Sequence, residues 1–79
     1  MHRDGLRKIV ASTLDCEPLS LQEDTILANI ENFDSVSILS LMVVLDDEVG
    51  VKLDHADLSK IIYYGDLESA VKSKGVILE

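Results

Sequence analysis

The sequence predicts an all-α fold: a small four-helix bundle of three longer helices and one short helix, with a long first connection. Two observations predict it. Apolar residues recur at helical spacing with glycines at the expected helix ends, and the alternation typical of strands is not evident. The 79 residues suffice for one domain, 1–79, and the 47% hydrophobic content is too high for a disordered chain.

The first helix is expected at about residues 3–14. Its apolar residues, spaced three to four apart, are Leu6, Ile9, Val10 and Leu14. Pro18 is expected to stop regular structure, and residues 15–34 form a long connection. Within it, the sequence SLQE at 20–23 fits a capping box and predicts a short helical turn.

The second helix is expected at about residues 35–49. Asp34 suits its N-cap, because a carboxylate accepts hydrogen bonds from the first turn and favours the positive end of the helix dipole. Gly50 suits the left-handed residue that follows a helix end.

This second helix has more apolar residues than one buried face requires. A core face centred on Met42 takes in Ile38, Leu45 and Val49, with Leu39 and Leu41 at its flanks. The opposite side then carries Val36, Ser37, Ser40, Val43, Val44 and Asp47. Wrapping loops could bury these valines, or the valines could form a partner-docking stripe with a rim of acids, Asp46, Asp47 and Glu48.

Two further helices complete the predicted bundle. Residues 54–61 allow a short third helix. Gly65 and Asp66 are expected to cap a last helix at about 66–74, which Gly75 ends. Its expected inward residues are Leu67, Ala70 and Val71.

The chain is strongly acidic, with fifteen acidic and seven basic residues and a formal net charge of -8. This charge argues against nucleic acids and anionic membranes as partners, since both favour a basic protein surface. Basic partner proteins suit this charge, although it could equally serve solubility alone. No apolar run approaches membrane-spanning length, and no signal core follows Met1, so a cytoplasmic protein without membrane insertion is expected.

Residues that could catalyse a reaction or bind a metal are few. Cys16 is the only cysteine, which excludes a disulfide framework and a CxxC pair. His2 and His55 are the only histidines, and neither lies in a GxSxG or HExxH setting. The acids lack the spacing of a calcium-binding loop. No catalytic residue and no metal site are predicted, so the chain is not expected to be an enzyme.

Several segments together resemble the acyl carrier protein family. They are FDSV at 33–36, LMVVLDDEVGVKL at 41–53, YGDL at 64–67 and DTIL at 24–27, and the likeness extends over nearly the whole chain. The resemblance implies that a phosphopantetheinyl transferase moves 4′-phosphopantetheine from coenzyme A to Ser35. Asp34, at the matching motif position, would help to orient that transferase and its metal. The thiol of the arm would then hold acyl groups as thioesters.

The resemblance also implies which partners the protein has. They are acyl-loading, condensing or acyl-transfer enzymes with basic docking patches. The carrier that they bind is expected to be a monomer. The expected docking residues are Val36, Ser37, Ser40, Val43, Asp46 and Asp47.

Three departures from the family pattern bear on the pathway. The sequence ENF at 31–33 replaces a motif with glycine, Val36 replaces leucine, and serines at 37 and 40 stand where well-known bacterial fatty-acid carriers have acids. Fatty-acid, polyketide and related lipid pathways all remain open, and the serines favour a dedicated carrier. The alternatives are a peptidyl or aminoacyl carrier (aryl or D-alanyl included), or an unmodified acidic helical interaction module.

Overall fold

Four helices surround one apolar core in the computed structural model, which describes residues 1–31 and 33–79. They are α1 (Arg3–Leu14), α2 (Ser35–Val44), α3 (His55–Ser59) and α4 (Tyr64–Ser73). A π-helical turn, Leu45–Val49, continues α2 without a break. The predicted bundle of three longer helices and one short helix is confirmed. Asn32, which belongs to the departure at 31–33, lies outside the described residues.

Several helix bounds agree with the sequence prediction. The first helix spans the predicted residues, and the helical stretch that begins at Ser35 ends at Val49, as predicted. Gly50 has φ 77° and Gly75 has φ 97°, so both adopt the left-handed conformation expected after a helix end.

Two local predictions were wrong. No helix forms at 20–23; instead, 3₁₀ turns occupy Pro18–Ser20 and Leu27–Asn29. Proline suits the first position of such a turn, so Pro18 opens one where it was expected to stop regular structure. The last helix begins at Tyr64, two residues early, because Asp66 lies inside its first turn and accepts a hydrogen bond from the N–H of Tyr63 (3.2 Å).

The long first connection is held against the start of α4. The N–H of Tyr64 donates to the carbonyl of Thr25 (2.8 Å), and the N–H of Gly65 donates to the carbonyl of Glu23 (3.0 Å). A Cβ on Gly65 would lie 2.8 Å from that Glu23 oxygen, so glycine is needed for this close approach. These bonds fix the path of the connection that leads to α2.

The buried core draws on all four helices and on the segments between them. Its members are Leu6, Val10, Ala11, Leu14, Leu21, Leu27, Leu41, Leu45, Val51, Leu53, Leu58, Tyr64, Leu67 and Val71. The predicted core face is confirmed for Leu45, which is buried, and for Ile38, Met42 and Val49, which are half-buried and pack against the core. Its flanks were wrong: Leu41 is 1% exposed and belongs to the core itself, whereas Leu39 is 53% exposed. Apolar residues surround this helix on every side, so their spacing alone did not determine which face is buried.

A charged cluster is buried between α1 and α4. The Glu68 side chain is only 5% exposed, and its carboxylate lies 3.6 Å from Nε of Arg3. The hydroxyl of the fully buried Tyr64 lies close to Glu68. Burial, followed by the charge of Glu68, raises the pKa of Tyr64, so the phenol stays protonated. Arg7 lies near the same hydroxyl and also pairs with the exposed Asp4 (3.3 Å).

Candidate functional site

Ser35 is the first residue of α2, and its side chain is exposed. Asp34 is the N-cap, as predicted: its Oδ1 accepts hydrogen bonds from the N–H of Ser37 (2.9 Å) and the hydroxyl of Ser37 (3.2 Å). The carbonyl of Asp34 accepts the first intrahelical bond, from the N–H of Ile38 (3.1 Å). The cap therefore fixes the backbone that presents Ser35 to solvent.

The cap also determines the charge beside Ser35. The N–H of Ser37 lowers the pKa of Asp34 below its ordinary value, and the Ser37 hydroxyl and the N–H of Val36 act in the same direction. Asp34 is therefore ionised at neutral pH. A negative charge stands directly next to the exposed serine hydroxyl.

The surroundings of Ser35 fit a covalently attached phosphate. Its hydroxyl has no hydrogen-bond partner among the described residues, so it can be approached and can form a new bond. A phosphodiester at this position faces the positive end of α2. Asp34 opposes the negative charge and already occupies the N–H of Ser37. The site thus suits a tethered phosphate better than tight binding of a dissociable anion.

An exposed apolar stripe extends along α2 from Ser35. Val36, Leu39 and Val43 are 69%, 53% and 62% exposed. Their spacing, i, i+3 and i+7, places them on one side of the helix, where Ser40 is also exposed. Sequence reasoning missed Leu39 because it assigned this residue to the flank of the core, although the same spacing links it to both valines. We call Val36, Leu39, Ser40 and Val43 the outer face of α2.

Two residues expected on this side lie elsewhere. Ser37 is 9% exposed, and its hydroxyl and N–H bind Asp34, so its placement on the outer face was wrong. Val44 is half-buried and packs against the core. Asp46, Asp47 and Glu48 are all exposed, at the far end of the helical stretch from Ser35.

The remaining candidate nucleophile and candidate metal ligands form no site within residues 1–31 and 33–79. Cys16 is half-buried, and burial raises the pKa of its thiol, with Glu17 and Asp15 acting in the same direction. Its thiolate is therefore scarce at neutral pH. The described histidine, cysteine and acidic side chains include no group of three or more that could hold a metal ion. Nor is any described helix long and apolar enough to cross a bilayer.

Comparison with known proteins identifies the family. A family model described as a phosphopantetheine attachment site matches residues 4–67. The acyl carrier protein of Thermotoga maritima is 30% identical over 69 residues, which cover 87% of this chain and 85% of that protein. Carriers of this kind bear a covalent 4′-phosphopantetheine group, and are not enzymes but are modified by a phosphopantetheinyl transferase and used by acyl-handling enzymes. Matches of this extent show that the chain belongs to the acyl carrier protein family.

Proposed function

We propose that Ser35 is the residue that carries the phosphopantetheine group. The observation that supports it most strongly is the exposed hydroxyl of Ser35 at the first position of α2, inside the segment that the family model matches. The bundle fixes this position through the Asp34 cap and the pinned first connection. Another protein's active site can therefore reach the hydroxyl without unfolding of the carrier.

The attachment step is a phosphoryl transfer in which the Ser35 Oγ is the nucleophile. It attacks the coenzyme A phosphorus that bears the pantetheine; the bond from that phosphorus to the leaving adenosine 3′,5′-bisphosphate breaks, and the hydroxyl proton passes to a base of the transferase. Asp34 helps to orient the transferase and its metal, because the two bonds from Ser37 hold its ionised carboxylate beside the nucleophile. Once attached, the arm supplies a terminal thiol that holds acyl groups as thioesters.

Partner enzymes dock on the outer face of α2 in this proposal. Its apolar part occupies the two turns next to Ser35, and the acids Asp46, Asp47 and Glu48 follow it, beginning roughly 17 Å from Ser35 along the axis at 1.5 Å per residue. A matching partner has an apolar surface beside its active-site entrance and a basic patch at that distance. The acids would increase the association rate, and the apolar contacts would slow dissociation.

The distance of these acids from Ser35 favours a dedicated pathway. Between Asp34 and Asp46, α2 has no charged side chain, so enzymes that require acids next to the attachment serine would bind weakly. We therefore propose a polyketide, lipid-modifying or aminoacyl pathway in preference to general fatty-acid synthesis. Elongation of acyl groups on this carrier by general fatty-acid synthesis enzymes at ordinary rates would contradict that proposal.

The protein is further proposed to work as one domain over residues 1–79, as a monomer in the cytoplasm. One core cluster extends from Leu6 to Val71, which supports a single folding unit. The net charge of -8 opposes self-association of acidic surfaces.

Intact mass spectrometry tests the attachment site. Incubation with coenzyme A and a broad-specificity phosphopantetheinyl transferase should add the mass of one phosphopantetheine group. The Ser35→Ala variant should gain nothing, whereas Ser40→Ala, which alters an exposed serine of the same helix, should be modified like the original protein. A folded protein that gains no mass would instead support an unmodified interaction module, and modification of Ser35→Ala would place the site elsewhere.

A further inference from the structure

We propose that the cargo stays outside the helical bundle, so that this carrier serves short or polar acyl groups and not long alkyl chains. The inference rests on the proposed carrier function and concerns where the acyl group lies once it is attached. It follows from how the interior between α2, α3 and α4 is filled and from how the filling residues are held in place.

Large side chains from every neighbouring element occupy that interior. They are Leu41 and Leu45 from α2 and its π-helical turn, Leu53 from the following loop, Leu58 from α3, and Tyr64 and Leu67 from α4. Each is at most 4% exposed. Because protein interiors are close-packed, an alkyl chain of several carbons could enter only by displacing these side chains.

Tyr64 is the largest of the fully buried side chains. Its ring is fully buried, and its hydroxyl end lies beside Glu68 and the guanidinium groups of Arg3 and Arg7. Outward movement of the ring would separate the hydroxyl from this polar cluster. A chain that passed the ring would meet the 5%-exposed Glu68 side chain, and apolar contact with a buried charge is unfavourable.

On the α3 side of the core, a capping box stabilises the first turn of α3. Asp54 and Asp57 form a reciprocal capping box: the N–H of Asp57 donates to Asp54 (2.7 Å), and the N–H of Asp54 donates to Asp57 (3.2 Å). This box fixes the first turn of the short helix that carries the 3%-exposed Leu58. Movement of Leu58 away from α2 would therefore disturb a capped turn as well as the core.

Matched thioester forms of the whole protein test the inference. The transferase would load Ser35 from acetyl-coenzyme A or octanoyl-coenzyme A, with complete loading checked by intact mass; failure to load would contradict the carrier function instead. The acetyl and octanoyl forms should have the same melting temperature. A chain sheltered in the core would raise the melting temperature of the octanoyl form by about 5 °C or more, which would overturn the proposal.

The chemical accessibility of the thioester gives a second readout. Hydroxylamine attacks the thioester carbonyl, forms a hydroxamate and releases the thiol of the arm. With the cargo outside the bundle, both forms should be cleaved at equal rates. Cleavage of the octanoyl form slower by roughly tenfold or more would indicate protection by the core and would also overturn the proposal.

A variant with space in the core tests the cause. In Leu58→Ala, the octanoyl form should melt above the acetyl form, because the chain can fill the space that the leucine leaves. If Leu58→Ala does not fold, Leu53→Val is the substitute, because it makes a smaller change in the core. Leu39→Ala on the outer face is the control, and its octanoyl and acetyl forms should melt at the same temperature. Equal melting of both forms in the folded core variant would contradict the role assigned to core filling.

Discussion

The outer face of α2 and the contact between α1 and α4 reverse the usual distribution of residues in opposite ways. On α2, apolar side chains lie in water, with Val36 69% exposed. Between α1 and α4, Glu68 and a tyrosine hydroxyl lie in the interior beside two arginines. Apolar residues belong inside and charges outside when only folding is considered, so each region needs a separate explanation.

The two regions differ in what their unusual residues can contribute. An exposed valine or leucine adds little to the stability of the isolated chain, so the stripe on α2 is consistent with the proposed docking of partner enzymes there. The buried Glu68 makes its contacts within the chain, where its carboxylate lies 3.6 Å from Nε of Arg3 on α1 and close to the Tyr64 hydroxyl. The comparison separates a surface that we propose partners cover from an interior that is closely packed.

Truncation of one buried and one exposed leucine of α2 and its π-helical turn should give the largest difference in stability. Leu45→Ala should lower the free energy of unfolding by about 2–5 kcal/mol, because it removes a fully buried side chain. Leu39→Ala should change it by no more than about 0.5 kcal/mol, since Leu39 is already largely in water. Urea unfolding at neutral pH measures both.

The same pair of variants should behave in the opposite way towards partners. Leu39→Ala should slow modification of Ser35 by the transferase about fivefold, the cost of one apolar contact of about 1 kcal/mol. Folded Leu45→Ala should be modified at a rate close to that of the original protein. If Leu39→Ala destabilised the chain as much as Leu45→Ala, the assignment of an outer face would be wrong.

Removal of the buried charge should have an intermediate effect. Glu68→Gln keeps the shape of the side chain but leaves Arg3 without the carboxylate. The free energy of unfolding should fall by about 1–2 kcal/mol, a value below that for a fully buried pair because Arg3 is partly exposed. Guanidinium unfolding would be confounded by its high ionic strength, so urea is the denaturant of choice.

An exposed ion pair within α1 is the matched control. Asp4 pairs with Arg7 at 3.3 Å, but its side chain is 62% exposed. Asp4→Asn should therefore change stability by less than about 0.5 kcal/mol. Equal losses in Asp4→Asn and Glu68→Gln would remove the distinction between a buried cluster and ordinary surface charge.

The sequence predicted the fold and the N-cap of the candidate site better than it predicted which face of α2 is buried. The bounds of α1, the N-cap at Asp34 and the left-handed Gly50 depend on interactions within one turn, and all three predictions are confirmed. The buried face of α2 depends on how neighbouring helices pack around a segment that is apolar on all sides. The predicted face therefore included the buried Leu45 but left the buried Leu41 about 100° from its centre at Met42.

The buried cluster was beyond sequence reasoning for a similar reason. Glu68 follows Leu67 and precedes Val71 by three residues, so helical spacing does place it near the inward side of α4. A charged residue at such a position is ordinarily read as the polar edge of an amphipathic helix. Only the fold brings Arg3, a residue 65 positions earlier in the chain, within 3.6 Å of its carboxylate.

Asp34→Asn should give the smallest effect on stability. It tests whether Asp34 only caps α2 or also takes part in the modification of Ser35. Asparagine keeps an oxygen that can cap the N–H of Ser37 but removes the charge. Because folding lowers the pKa of Asp34 below its ordinary 3.8, the charge stabilises the fold above that pH, and the contribution is lost as pH falls through the lower, folded-state value. The original protein should thus be slightly more stable than Asp34→Asn at pH 7. Urea unfolding should show that this difference in stability disappears in acid, once Asp34 is protonated in the folded protein. Modification of Ser35 at pH 7 should fall by much more than this small loss explains, because in the proposed function the carboxylate also orients the transferase. If the modification rate fell only in proportion to the small loss of stability, Asp34 would act as a helix cap alone.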